Sequence, residues 1–189
     1  MNEQIVSWSY SRLQDFEKCK QLAKFKYLDK IPEPERELPP GKTEFANDRG
    51  TRIHENCEQY VNGTTDVLMP EADKHFGLRL DLLRTMFKDG LVSLEGEWAM
   101  DKDWNPVEWK KGWLRLKLDA MVMHDKHTAT VIDFKSGKRF GNEVKHAEQL
   151  QLYQLVTFLR YPHLETVYAE LWYLDQDEVT SQKYTRQQG

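Results

Sequence analysis

Apolar positions along the chain change period several times, and each change marks an element. From Ser9 onward, Leu13, Phe16, Leu22, Phe25 and Leu28 recur at helix-like spacing, with Ser9 or Ser11 as the cap and Arg12 in the first turn. Pro32, Pro34, Pro39 and Pro40 then forbid regular helix or a central strand between Ile31 and Gly41. A second helix follows Asn47, where Ile53, Cys57, Tyr60 and Val61 share a face and Gly63 closes it. A third spans Glu71 to Lys88 on Phe76, Leu80, Leu83 and Phe87, with Asp89-Gly90 as its stop.

After Gly90 the pattern switches to strands. Leu91–Met100 carries Glu95 and Glu97 on one face by the two-residue repeat, and the aromatic loop Asp101–Lys111 follows with Trp104 and Trp109. Two apolar runs, Leu116–Val122 and Val131–Lys135, read as neighbouring strands joined by the polar turn His124-Asp125-Lys126-His127. Asn142–Arg160 has the broad apolar stripe of an amphipathic helix. Thr166–Leu174 is a buried strand, and Glu178–Arg186 pairs with it.

Composition narrows the class. A length of 189 residues suits one domain with a real core, and 39% hydrophobic with 12% aromatic residues excludes a disordered chain. No apolar run approaches a membrane span, and Met1-Asn2-Glu3-Gln4 lacks the basic and apolar regions of a signal peptide, so a cytoplasmic protein is expected. Cys19 and Cys57 are too few for a disulfide scaffold and lack the spacing of a zinc or iron–sulfur site. A net charge of -4 argues against coating nucleic acid through bulk charge, yet leaves room for local basic patches.

The chemistry concentrates in Val131-Ile132-Asp133-Phe134-Lys135-Ser136-Gly137-Lys138 and in Asp119 before it. Asp133 and Lys135 are two apart, so they share a strand face while Phe134 points into the packing. Read alone, they are an ordinary strand ion pair of small energetic consequence. Asp119 changes that reading. An ionised carboxylate in an apolar run is costly unless a cation holds it, and two carboxylates beside a lysine suit a Mg²⁺ or Mn²⁺ site that handles phosphate. On flanking elements, His54 lies beside the apolar stripe of its helix, near Arg52, and is a competent metal ligand as well as an ordinary packed histidine. Gln149 and Tyr153 are four apart and stack on one helical face. Ser9 and Arg12 at a helix start can grip a phosphate or merely cap the helix.

Taken in order, Ser9-x-x-Arg12-Leu13, Gly50-x-x-x-His54, the acidic strand at Glu95, Asp119, Asp133-Phe134-Lys135 and Gln149-x-x-x-Tyr153 resemble the PD-(D/E)XK nuclease superfamily. Within it they resemble the RecB-like exonuclease branch found in phages and among CRISPR-associated nucleases. The resemblance implies an α/β fold with a restriction-endonuclease-like core: a central mixed β-sheet flanked by helices. A helical part carrying the His motif would occupy residues 1–90 and the core sheet and helix residues 91–189, in one structural domain.

It further implies that His54, Asp119, Asp133 and the Phe134 carbonyl bind Mg²⁺ or Mn²⁺, and that Lys135 positions or activates the water. Gln149 and Tyr153 would orient the DNA strand or the catalytic residues, and Glu95, ahead of Glu97, is the accessory acid. Ser9, Arg12, Arg52 and Lys138 are the expected DNA contacts. The implied partners are DNA and a single-strand annealing or replication protein, in a phage or bacterial recombination setting within the host cytoplasm. One departure is informative. Relatives with an iron–sulfur cluster need four cysteines, and no cysteine follows Cys57, so no cluster is expected. The rival reading is a non-catalytic DNA-end-binding module using Arg12, Arg52, Lys138 and Arg139 without turnover. The intact acid, acid, lysine set favours the enzyme, because gathered negative charge repels phosphate.

Overall fold

The computed structural model describes residues 4–137, 141 and 143–188, and of Glu95 the backbone alone. Its strands form a six-stranded mixed sheet in the order β2-β1-β3-β4-β5-β6. These are β1 (Val92–Met100), β2 (Pro106–Val107), β3 (Leu114–Met123), β4 (Thr128–Lys135), β5 (Thr166–Tyr173) and β6 (Glu178–Thr185). The longer helices are α1 (Tyr10–Lys18), α3 (Ala46–Val61), α4 (Pro70–Lys88) and α5 (Glu143–Arg160), and α2 (Lys20–Ala23) is a single turn. This α/β architecture, a mixed sheet flanked by helices, is restriction-endonuclease-like. By contact the chain forms two compact units interleaved in sequence, one of residues 1–42 and 97–116, the other of residues 43–96 and 117–189.

In the larger unit, β4 runs parallel to β5 with Lys135 opposite Tyr173, and β3–β4 and β5–β6 are antiparallel. A parallel neighbour needs a long crossover, and α5 supplies it. Alternation sorts the side chains. Ala120, Val122, Ile132, Phe134, Trp172 and Leu174 pack with Ile53, Cys57, Phe76, Leu80 and Leu83 of α3 and α4. The intervening positions, Asp133 and Lys135 among them, reach α5 instead. Burial on both sides explains why β4 reads as an almost continuous apolar run. Arg49 at the start of α3 donates two hydrogen bonds to Asp175, at 2.9 and 2.7 Å, and so ties the helix to the β5–β6 turn.

In the smaller unit, the single helix expected through Leu28 is interrupted. Ser9 caps α1 by accepting the Arg12 backbone N–H at 3.3 Å, but Cys19 adopts an extended conformation. Its thiol then accepts the Leu22 N–H and starts a new turn, which continues as a π-helix over Lys24–Asp29. The apolar spacing carries the reason: the step from Phe16 to Leu22 skips the position one turn on that a continuous stripe requires. The aromatic loop contains β2, and Trp104, at φ +65°, packs edge-on against Trp113. Among the described residues, no helix is long and apolar enough to cross a membrane.

Candidate active site

The register of β3 and β4 brings the two aspartates together. It runs from Met123 opposite Ala129 to Ala120 opposite Ile132, so the next positions outward are Asp119 and Asp133. There the Asp119 side chain enters the ladder. Its Oδ2 accepts the backbone N–H of Phe134 at 2.6 Å, and its Oδ1 lies 3.1 Å from Nδ1 of His54 on α3. The His54 ring meets Phe134 edge-on, with centroids 5.8 Å apart. One turn earlier, Gly50 lets the helix approach: a Cβ there would stand 2.8 Å from Ser136 Oγ, just beyond β4. The Gly50-x-x-x-His54 spacing thus puts a gap and an imidazole on one helical face.

Asp133 and Lys135 close a ring with α5. Lys135 Nζ lies 2.5 Å from Asp133 Oδ2 and donates to Gln149 Oε1 at 2.8 Å. Gln149 Nε2 donates to the Tyr153 hydroxyl at 2.5 Å, which donates to Asp133 Oδ1 at 2.7 Å. The four-residue spacing on α5 makes both contacts possible. A buried network of this kind fixes each member's orientation, since breaking one link leaves a buried polar group without a partner.

The electrostatics favour a cation. Burial pushes the Asp119 carboxyl up from its ordinary pKa and the charge of Asp133 adds to it, against the opposing pull of His54. Burial lowers the basicity of His54, but its hydrogen bond to Asp119 and the charges of both carboxylates outweigh that and raise its pKa. Burial, reinforced by Asp133, raises the Tyr153 hydroxyl well above its usual value, so it stays a donor. Asp133 Oδ2 is buried and, despite its close ion pair with Lys135, accepts no well-aligned hydrogen bond. A spare carboxylate lone pair, a second carboxylate, an imidazole and the Phe134 carbonyl together fit a hard divalent ion.

Among the described residues, no three His, Cys, Asp or Glu side chains are gathered tightly enough to close around an ion as they stand. His54 and Asp119 touch, while Asp133 is engaged by Lys135 and Tyr153. A metal held at Asp133 would compete with Lys135 for this carboxylate.

The other expected contacts are placed as follows. Arg52 is engaged by acids, Glu44 at 2.8 Å and Glu71 at 3.2 Å, and these hydrogen bonds raise its pKa further. Arg12, in the smaller unit, donates to the Ser7 carbonyl and hydroxyl, both at 2.7 Å, and lies over the Tyr27 ring. Ser9 is the cap of α1. Lys138 and Arg139 lie outside the described residues, as does the Glu95 side chain. Cys19 is exposed and Cys57 buried.

His146 and Tyr173 are polar neighbours that sequence reasoning did not single out. His146 Nδ1 lies 2.7 Å from the Tyr173 hydroxyl, and Tyr173 is the β5 partner of Lys135. Its position three residues before Gln149 on α5 was the available signal.

No curated protein matches the chain. Among solved structures, the crystal structure of SSO0001 aligns over 98% of this chain and 69% of its own, at 12% identity and a TM-score of 0.40. The family model of the PD-(D/E)XK nuclease superfamily matches residues 7–188, a span that contains every element described above. The chain belongs to the PD-(D/E)XK nuclease superfamily.

Proposed function

We propose that this protein is a Mg²⁺- or Mn²⁺-dependent deoxyribonuclease that acts as an exonuclease in phage or bacterial DNA recombination, replication or repair. The observation that carries the reading is the convergence of Asp119, Asp133 and Lys135, with Gln149 and Tyr153 fixing the last two. Exonuclease action and the recombination setting, with a single-strand annealing or replication protein as neighbour, rest on the resemblance to RecB-like exonucleases.

His54, Asp119, Asp133 and the Phe134 carbonyl would hold the metal. Once bound, it supplies Lewis acidity toward phosphate oxygens and lowers the pKa of a water. The remaining work belongs to the chain's own groups. Lys135 carries the positive charge at the site and holds a water or a phosphate oxygen through the same Nζ that now contacts Asp133 and Gln149. Gln149 aims that ammonium, and Tyr153 keeps Asp133 turned inward. Asp119 steadies His54 and the Phe134 backbone at once.

The test is digestion of end-labelled linear DNA and of closed circular DNA in Mn²⁺, with chelator as control. Progressive shortening of linear DNA alone is expected. Cutting of the circle would replace exonuclease with endonuclease, and end binding without turnover would replace the enzyme with a binding module.

A further inference from the structure

One imidazole beside this site has no part in the assignments above. His146 lies on the α5 face that also carries Gln149 and Tyr153, at spacings of three and seven residues. Those two residues reach Lys135 and Asp133. His146 instead meets Tyr173, the residue paired with Lys135 across the parallel β4–β5 ladder. The helix therefore sets three polar side chains along the end of β4 that carries the acid and the lysine and the adjoining end of β5 at Tyr173.

We propose that His146 is a substrate-contacting residue whose Nε2–H donates to a backbone phosphate of the DNA strand beside Lys135. The proposal rests on the nuclease reading for its substrate and on the Tyr173 contact for its geometry. Tyr173, 1% exposed and fixed within β5, places its hydroxyl 2.7 Å from Nδ1. The proposal assigns the hydroxyl as donor to Nδ1, which puts the ring proton on Nε2 and gives this half-buried imidazole a donor at its far nitrogen. Burial, followed by the charge of Lys135, lowers the pKa of His146 and keeps the ring neutral. A neutral donor beside a lysine can take a phosphate oxygen without competing for the carboxylates, as a second ammonium would. It adds direction where Lys135 adds charge.

Amide substitutions separate this role from a structural one. In H146N the shorter amide would present an acceptor at the Nδ1 level and keep Tyr173 satisfied without reaching as far as Nε2. In H146Q the longer amide would carry an N–H to the Nε2 level. The experiment measures kcat and KM for end-labelled DNA in Mn²⁺ and, separately, DNA affinity in chelator, for wild type, H146A, H146N and H146Q.

The expected result is that H146A and H146N raise KM and Kd about tenfold, the value of one hydrogen bond to a charged group, while kcat changes little and H146Q restores both. An H146N variant matching wild type in KM and Kd would overturn the proposal, because satisfying Tyr173 would then suffice. So would a loss confined to kcat. If wild type binds DNA with this pattern but never cleaves it, the nuclease reading fails and the phosphate contact stands. If wild type cleaves and the pattern is missing, only the phosphate contact fails.

Discussion

Asp119 accepts the backbone N–H of Phe134 at 2.6 Å, so one carboxylate serves both the strand ladder and the candidate metal site. Its other oxygen steadies His54 at 3.1 Å. Structure and chemistry are joined at this residue, and its substitutions should show both.

Asp119→Ala should abolish cleavage and also destabilise the fold by about 1–3 kcal/mol, since it leaves the Phe134 N–H without its acceptor. Asp119→Asn keeps an acceptor oxygen and should lose cleavage at a much smaller stability cost. Chemical denaturation alongside the nuclease assay checks both. Equal stability of the two variants would sink the double role.

Lys135→Ala should separate metal binding from turnover. It releases Asp133 from its ion pair, so Mn²⁺ affinity by calorimetry should hold or rise, while the rate should fall by about 10²-fold or more, as for loss of a positioned charge at a reacting centre. Weaker Mn²⁺ binding in this variant would mean that the lysine supports the metal site instead of competing with it.

Tyr153→Phe removes the hydroxyl that donates to Asp133 and receives from Gln149. Cleavage should drop about tenfold, the worth of one hydrogen bond to a charged partner, and well short of the lysine effect. Steady-state rates of the two variants, measured side by side, decide the order.

Arg49 and Asp175 give a pH signature. The two hydrogen bonds from Arg49 hold the Asp175 carboxyl below its ordinary pKa. A depressed folded-state pKa contributes stability above the unfolded carboxyl value, lost as pH falls through the lower folded one. Asp175→Asn should therefore cost about 1 kcal/mol near neutrality, discounted for partial exposure, and the gap to wild type should begin to narrow below about pH 4 and close as pH falls through the lower folded value. Urea titrations from about pH 7 down to about pH 2 test it. A gap that persists in acid would assign the cost to packing.

The two cysteines should differ sharply in reactivity. Cys19 is exposed, whereas burial pushes the Cys57 thiol up to about 12. A native thiol titration should count one fast group, and the second should appear on unfolding. Two fast thiols would contradict the packing of α3 against the sheet.

How much of this was legible in the sequence depended on whether local pattern and tertiary need agreed. Asp133, Phe134 and Lys135 were readable because a strand alternates, and the structure sends Phe134 to the α3 side and its neighbours to α5. The fourteen-residue gap to Asp119 was readable as a hairpin, and the β3–β4 register bears it out. The break at Cys19 was not, because a lone thiol carries no sign that it will accept the Leu22 N–H. Nor was the engagement of Arg52, since Glu44 and Glu71 are brought to it only by the folded loop and by α4. His146 had only its spacing to Gln149 as a signal, because its partner Tyr173 is 27 residues away in sequence.

The central claim is that His54, Asp119 and Asp133 share one divalent cation, and the most direct measurement is anomalous scattering from a Mn²⁺-soaked crystal. A single strong peak within bonding distance of both carboxylates and the imidazole, with Lys135 shifted off Asp133 Oδ2, is the predicted result. An undisturbed Lys135–Asp133 pair with no peak beside Asp119 would contradict it.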